Sequence, residues 1–169
     1  MILDPVIISE ILIDGPAAQL AADTIRSISS SGKRVATTFV GAGEITRYVL
    51  FLGKLRPYLF RNQGVKGEVE GAIDNVFSTS MFSSDRDLQP SVMMIAYRLS
   101  FSSGLNFSVS HLASSAAASG ESILCARGTV ALLASVQGLS VEIVREFGKG
   151  EIAEISVQIT KSSILKGPD

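Results

Sequence analysis

The sequence contains one cysteine and one histidine, and each scarcity removes a class of chemistry. A lone Cys125 makes no intrachain disulfide and no multi-cysteine metal site. It lies in the apolar run Ile123 to Ala126, where a cysteine acts as a small core side chain rather than a reactive thiol. A lone His111 excludes a histidine cage around a metal and a pair of imidazoles sharing acid and base roles. Long hydrophobic runs are also missing. Runs such as Val92 to Tyr97 fall far short of the roughly 20 apolar residues of a membrane-spanning helix, so no membrane partner is expected. The first residues lack the basic start and apolar stretch of a secretion signal, which points to a cytoplasmic protein. An excess of one charge is absent too. The formal charge of −1 argues against whole-surface binding to a polyanion, because such binding scales with the number of phosphates neutralised. A local basic stripe is still allowed.

What is present is the composition of a packed core. Hydrophobic residues make up 46% and charged residues 18%, so global disorder is not expected. The length of 169 residues fits one ordinary domain or two small ones. Internal similarity favours two. Lys66-Gly67-Glu68-Val69 returns as Lys149-Gly150-Glu151-Ile152, and Ser31-Gly32 returns as Ser119-Gly120. A spacing of roughly 85 residues is too long for a solenoid and fits two copies of a small βαβαβ unit.

The elements follow from periodicity and turn residues. Val6 to Ile13 reads as a first strand, and Asp14-Gly15-Pro16 as a helix start. Ala17, Ala21, Ile25 and Ile28 share one helical face that stops near Gly32. Val35 to Val40 is a second strand, and Gly41-Ala42-Gly43 a tight turn. A helix follows through Ile45, Val49, Leu52 and Leu55 or Leu59, closed near Pro57. Val65 to Ser78 is a third strand, and Thr79 to Pro90 a polar hairpin loop or arm. Alternation from Val92 to Phe101 predicts a strand. Leu105, Val109, Leu112 and Ala116 predict a helix, Ile123 to Ala126 a buried strand, and Leu132, Val136, Leu139, Ile143 and Phe147 an amphipathic helix. Ile152 to Thr160 is the last strand, and 161–169 a frayed tail. The chain thus divides into residues 1–80, a first repeat; 81–90, an arm or linker; and 91–169, a second repeat. Each half is too short for a robust core alone, so the halves should pack together.

No catalytic constellation stands out. Glu68, Glu70 and Asp74 have no histidine nearby and read as a solvated strand face. The serines around Ser114 form no nucleophile elbow beside His111. Gly41-Ala42-Gly43 lacks the spacing of a dinucleotide motif and reads as a structural corner. No enzyme activity, metal or cofactor is expected. Lys33, Arg34, Arg47, Lys54, Arg56, Arg61 and Lys66 give the first half a basic bias. If Arg47, Lys54 and Arg61 share a helix face, they form a phosphate-tracking stripe; the alternative is an ordinary solvated face.

The stretch from Leu105 to Phe147 resembles the archaeal Alba family of chromatin and RNA-binding proteins. Leu105-Asn106-Phe107 is similar to that family's Met-Asn-Tyr at the start of its first helix. Ala126-Arg127-Gly128 is similar to its Ala-Arg-Gly at the end of the second strand. Ala131, Val136, Glu142, Ile143, Val144 and Arg145 resemble its second helix. Phe39-Val40-Gly41-Ala42-Gly43 resembles the Ile-Gly-Ala-Gly corner of the related sporulation protein S branch. The resemblance implies an α/β (α+β) fold of two tandem Alba-like units packed as a pseudo-dimer. It also implies sequence-independent binding of DNA or RNA. Arg127 matches a basic residue of the family's binding face, and Arg86 lies where its minor-groove arm would be. Together with Lys33, Arg34, Arg47, Lys54, Arg61 and Lys66 these are the expected nucleic-acid contacts, and a DNA-binding role would place the protein on the nucleoid. The family's basic loop before the first helix is replaced here by Ile13-Asp14-Gly15-Pro16 and Phe101-Ser102-Ser103-Gly104. The alternative is therefore a structural, self-associating or partner-binding module that keeps the fold without nucleic-acid binding.

Overall fold

A computed structural model describes residues 1–12, 15–55, 89–160 and 164, with 48–55 by backbone alone. Six helices and five strands are present among them. In chain order they are β1 (Ile2–Leu3), α1 (Pro5–Leu12), α2 (Ala18–Ser30), β2 (Ala36–Thr37), α3 (Phe39–Leu55), α4 (Pro90–Ser103), α5 (Phe107–Ser119), β3 (Ile123–Ala126), α6 (Arg127–Ala134), β4 (Leu139–Phe147) and β5 (Ile152–Ile159). A single 3-10 turn, Gly148–Gly150, joins β4 to β5.

The strands form one mixed sheet in the order β2-β1-β3-β5-β4. β1 is parallel to β2 and β3, whereas β5 is antiparallel to β3 and β4. Side chains alternate across a strand, and each face carries its own core. Ile2, Ile123, Cys125 and Ile155 face Leu99 of α4, Leu112 of α5 and Leu133 of α6. Leu3, Leu124 and Ile152 face Ile7 of α1, Ile28 of α2 and Ile45 of α3. The result is three layers, with the sheet buried between α1–α3 and α4–α6. Burial on both faces explains why β1 and β3 read as continuous apolar runs rather than alternating ones.

Several expected elements hold. Helix α2 ends at Ser30, and α5 runs to Ser119. Gly32 (φ +81°) and Gly120 (φ +70°) follow their last turns in the left-handed region, as the repeated Ser-Gly predicts. The apolar spacing from Ile45 to Leu55 is helical. β3 spans Ile123–Ala126, and β5 covers nearly all of Ile152 to Thr160.

Four expectations are corrected. Val6 to Leu12 is not a strand: helix α1 begins at Pro5, with Ile7 and Ile8 buried, and Ile13 lies outside the described residues. Asp4 caps it by accepting from Val6 N at 3.0 Å, and proline suits a first helical turn. Gly41-Ala42-Gly43 is not a turn but part of the start of α3, which cuts the second strand back to Ala36–Thr37. Val92 to Phe101 is helix α4, with Pro90 in its first turn and Val92, Ala96 and Leu99 buried at three-to-four spacing. Tyr97 and Phe101, which the alternating pattern places with Leu99, are instead exposed at 59% and 83%. The helix expected from Leu132 to Phe147 ends at Ala134, and Leu139–Phe147 is strand β4. A turn at Gly138 (φ +100°) intervenes, and the β-branched residues Val141, Ile143 and Val144 favour a strand after it.

These corrections change the order within the second half, which runs α4-α5-β3-α6-β4-β5 rather than βαβαβ. Lys149-Gly150-Glu151 closes a β-hairpin and does not follow a helix. Its counterpart at Lys66, the strand from Val65 to Ser78, the arm up to residue 88 and Pro57 lie outside the described residues. So does the 161–169 tail, Ile164 excepted.

Candidate functional site

Three parallel strands end at one edge of the sheet, and a helix starts from each. α1 follows β1 after Asp4, α3 follows β2 after Thr38, and α6 follows β3 directly. Helix N-termini carry unpaired N–H groups and partial positive charge. Here the chain supplies its own caps. Thr38 Oγ1 accepts from Gly41 N at 2.9 Å. Asp4, only 1% exposed, serves two helices at once. One carboxylate oxygen accepts from Val6 N of α1. The other accepts from Thr129 Oγ1 of α6 at 2.5 Å and from Ala126 N at 3.4 Å.

Burial pushes the Asp4 carboxyl above its ordinary range, and the bonds from Thr129, Val6 and Ala126 only partly offset this. The neighbouring Cys125 thiol is fully buried in β3. It is pushed well up, first by burial and second by the Asp4 charge. That environment suppresses thiolate formation. Asp4 therefore holds the framework, and the helix ends it caps offer little residual positive potential to an outside anion.

Anion binding at this edge would have to come from side chains. Arg127, the first residue of α6, is exposed. Its backbone N–H donates to Glu151 O at 3.0 Å, which ties the helix start to the β4–β5 turn. Arg127 and Lys149 both line an open hollow of about 330 Å³ between α6 and that hairpin, with Val130, Ile143 and Glu146 also in its wall. Lys149 is exposed on the turn, with φ +59°.

The other basic residues are placed differently. Lys33 donates to Glu154 Oε1 at 3.2 Å. Glu154 is 5% exposed and also accepts from Ser122 Oγ at 2.8 Å, so Lys33 neutralises a buried acid. Arg47 pairs with Glu44 one turn earlier on α3, and this partner holds the Glu44 carboxyl below its ordinary range. Arg34 is exposed next to Lys33. The side chain of Lys54, and Arg61, Lys66 and Arg86 entirely, lie outside the described residues, as do Glu68, Glu70 and Asp74.

The serines in the body of α5 are core residues. Ser110, Ser114 and Ser115 are buried, and Ser114 Oγ donates to the Ser110 carbonyl at 2.7 Å. His111 is buried with its ring 6.1 Å from that of Phe107. No group of three or more His, Cys, Asp or Glu suited to a metal occurs among the described residues. No helix among them is long and apolar enough to cross a membrane.

Sequence patterns did not single out Asp4, Thr129 or Glu154 for these roles. The Asp4-Pro5 pair is the signal for the first, since a cap followed by proline marks a helix start. Comparison with protein-family models, curated proteins and solved structures gives no match to this chain.

Proposed function

We propose that this chain is a non-enzymatic nucleic-acid-binding protein that contacts phosphates, independently of base sequence, through Arg127 and Lys149. The observation that carries this reading is their convergence on one open hollow beside the start of α6. The Alba-like resemblance supports it at two junctions. Leu105-Asn106-Phe107 opens α5, where the Asn106 side chain caps the helix by accepting from Ser108 N at 3.0 Å. Ala126-Arg127-Gly128 spans the β3-to-α6 corner. Strands from both halves share one sheet, so a tandem Alba-like origin would leave a single binding face rather than two. Glu146 in the same hollow limits the strength of contact, and weak, strongly salt-dependent binding is expected.

Fluorescence anisotropy with labelled duplex DNA and single-stranded RNA at low salt tests this. Binding that weakens as salt rises, and is lost in an Arg127→Ala/Lys149→Ala variant, is the expected result. Absence of binding to either ligand at low salt would overturn the reading.

A further inference from the structure

Among the described residues, β4 is the outer strand of the sheet on the β5 side. It is also the least covered strand: every residue from Glu142 to Glu146 is exposed, with Ile143 at 50% and Val144 at 56%. An apolar edge strand is a template for another chain, and proteins guard such edges with charges and bulges. β4 has both, arranged so that the strand complements itself. Its register against β5 slips between Ile143, opposite Ile155, and Arg145, opposite Glu154. Val144 is thus the extra residue of a β-bulge.

The bulge has a geometric consequence. Residues three apart on a regular strand point to opposite faces. Glu142 is opposite Ser156, and Arg145 is opposite Glu154, two positions away on β5. Glu142 and Arg145 therefore share one face. Arg145 lies over the Phe147 ring at 4.7 Å, and Phe147 packs into the core beneath α1–α3, which fixes the face as that one.

We propose that β4 pairs antiparallel with β4 of a second copy of this chain, about a two-fold axis at the bulge, and extends the sheet across a dimer. In this register Glu142 faces Arg145 of the second copy, and the symmetry repeats the pair. Val141 faces Glu146, and Ser140 faces Phe147. Each opposed pair lies on one face of the sheet because both strands carry the bulge; two regular strands in the same register would set every pair on opposite faces. Directly opposed charges of opposite sign stabilise a strand pair, and a two-fold interface must be self-complementary in this way. Ile143 and Val144 of both copies meet at the axis and cover each other. Shifting the pairing by one residue would set the opposed pairs on opposite faces of the sheet and lose the Glu142–Arg145 contact.

The proposal does not rest on nucleic-acid binding, although Ile143 and Glu146 also line the α6 hollow, and its test uses no nucleic acid. Sedimentation velocity of the full chain across sub-millimolar concentrations reads the assembly directly. A dimer is expected. Glu142→Arg and Arg145→Glu should each raise its dissociation constant about tenfold or more, since each turns two attractive pairs repulsive. The Glu142→Arg/Arg145→Glu double variant should restore it, and an equimolar mixture of the two single variants should form a heterodimer. The heterodimer also shows that the single variants are folded. A wild-type chain that stays monomeric, or single variants that dimerise like wild type, would overturn the proposal.

Discussion

Thr129 Oγ1 donates to Asp4 Oδ2 at 2.5 Å across 125 positions of sequence, and this bond joins the starts of two helices on opposite faces of the sheet. Because Asp4 is buried, its carboxyl is raised in the folded state. A raised acid takes up its proton more readily when folded, so its contribution to stability is present below its unfolded value and is lost as pH rises through the folded value. Wild type compared with Asp4→Asn should therefore gain relative stability as pH falls from neutral into the acid range. Urea midpoints of both proteins at several pH values give the difference directly. A difference that moves the other way would mean that hydrogen bonding, not burial, dominates at Asp4.

Thr129→Val keeps the shape of the side chain and removes the hydroxyl. Asp4 then keeps its bonds from Val6 N and Ala126 N but loses its shortest one. A buried acceptor deprived of a partner costs about 1–3 kcal/mol. Chemical denaturation should show a loss of that order. A neutral result would mean that water replaces the hydroxyl.

The two glycines of Gly41-Ala42-Gly43 predict opposite effects. A Cβ on Gly41 would sit 2.8 Å from Thr37 Oγ1, 3.0 Å from Thr38 Oγ1 and 3.1 Å from Pro5 Cγ. Gly41→Ala should therefore destabilise by about 1–3 kcal/mol through overpacking. A Cβ on Gly43 meets nothing within 4 Å, and the position is helical and exposed. Gly43→Ala should stabilise by about 0.5–1 kcal/mol. Thermal melts of the two variants check the signs. Close packing of α3 on the start of α1 thus explains Gly41 but not Gly43.

How much was legible in the sequence depended on what each pattern had to compete with. The helices α2 and α5 and the strand β3 stand out because periodicity and end signals agree there. The misreadings arise where one run satisfies two periods. Leu132, Val136, Leu139, Ile143 and Phe147 keep helical spacing, yet Leu139, Val141 and Ile143 also alternate. The turn at Gly138 and pairing with β5 decide for the strand. In Val92 to Phe101 the alternating reading ignores Ala96, which is fully buried with Val92 and Leu99. Of the candidate site, Arg127 was legible from the Ala-Arg-Gly corner. Lys149 was visible only as part of a repeat, because its place beside Arg127 depends on the β4–β5 hairpin. The ion pair that occupies Lys33 was not legible either, since Glu154 lies 121 positions away.

On the proposed reading, that placement separates structural from binding cations. Lys33 holds Glu154, which is nearly inaccessible to water, whereas Arg127 and Lys149 face an open hollow. Lys33→Met removes the cation from a buried carboxylate that also accepts from the Ser122 hydroxyl. Because the Lys33 side chain is itself 56% exposed, the loss should be moderate, about 1–2 kcal/mol. Its nucleic-acid affinity should stay near that of wild type. Arg127→Ala and Lys149→Ala should do the reverse, with little change in urea midpoint. Each should reduce the slope of log affinity against log salt by about one, the signature of one lost phosphate contact. Titrations at several salt concentrations, run beside denaturation curves on the same preparations, measure both quantities. If Lys33→Met changes the salt slope as much as Arg127→Ala does, the binding face is not the α6 hollow and lies nearer the Lys33–Glu154 pair.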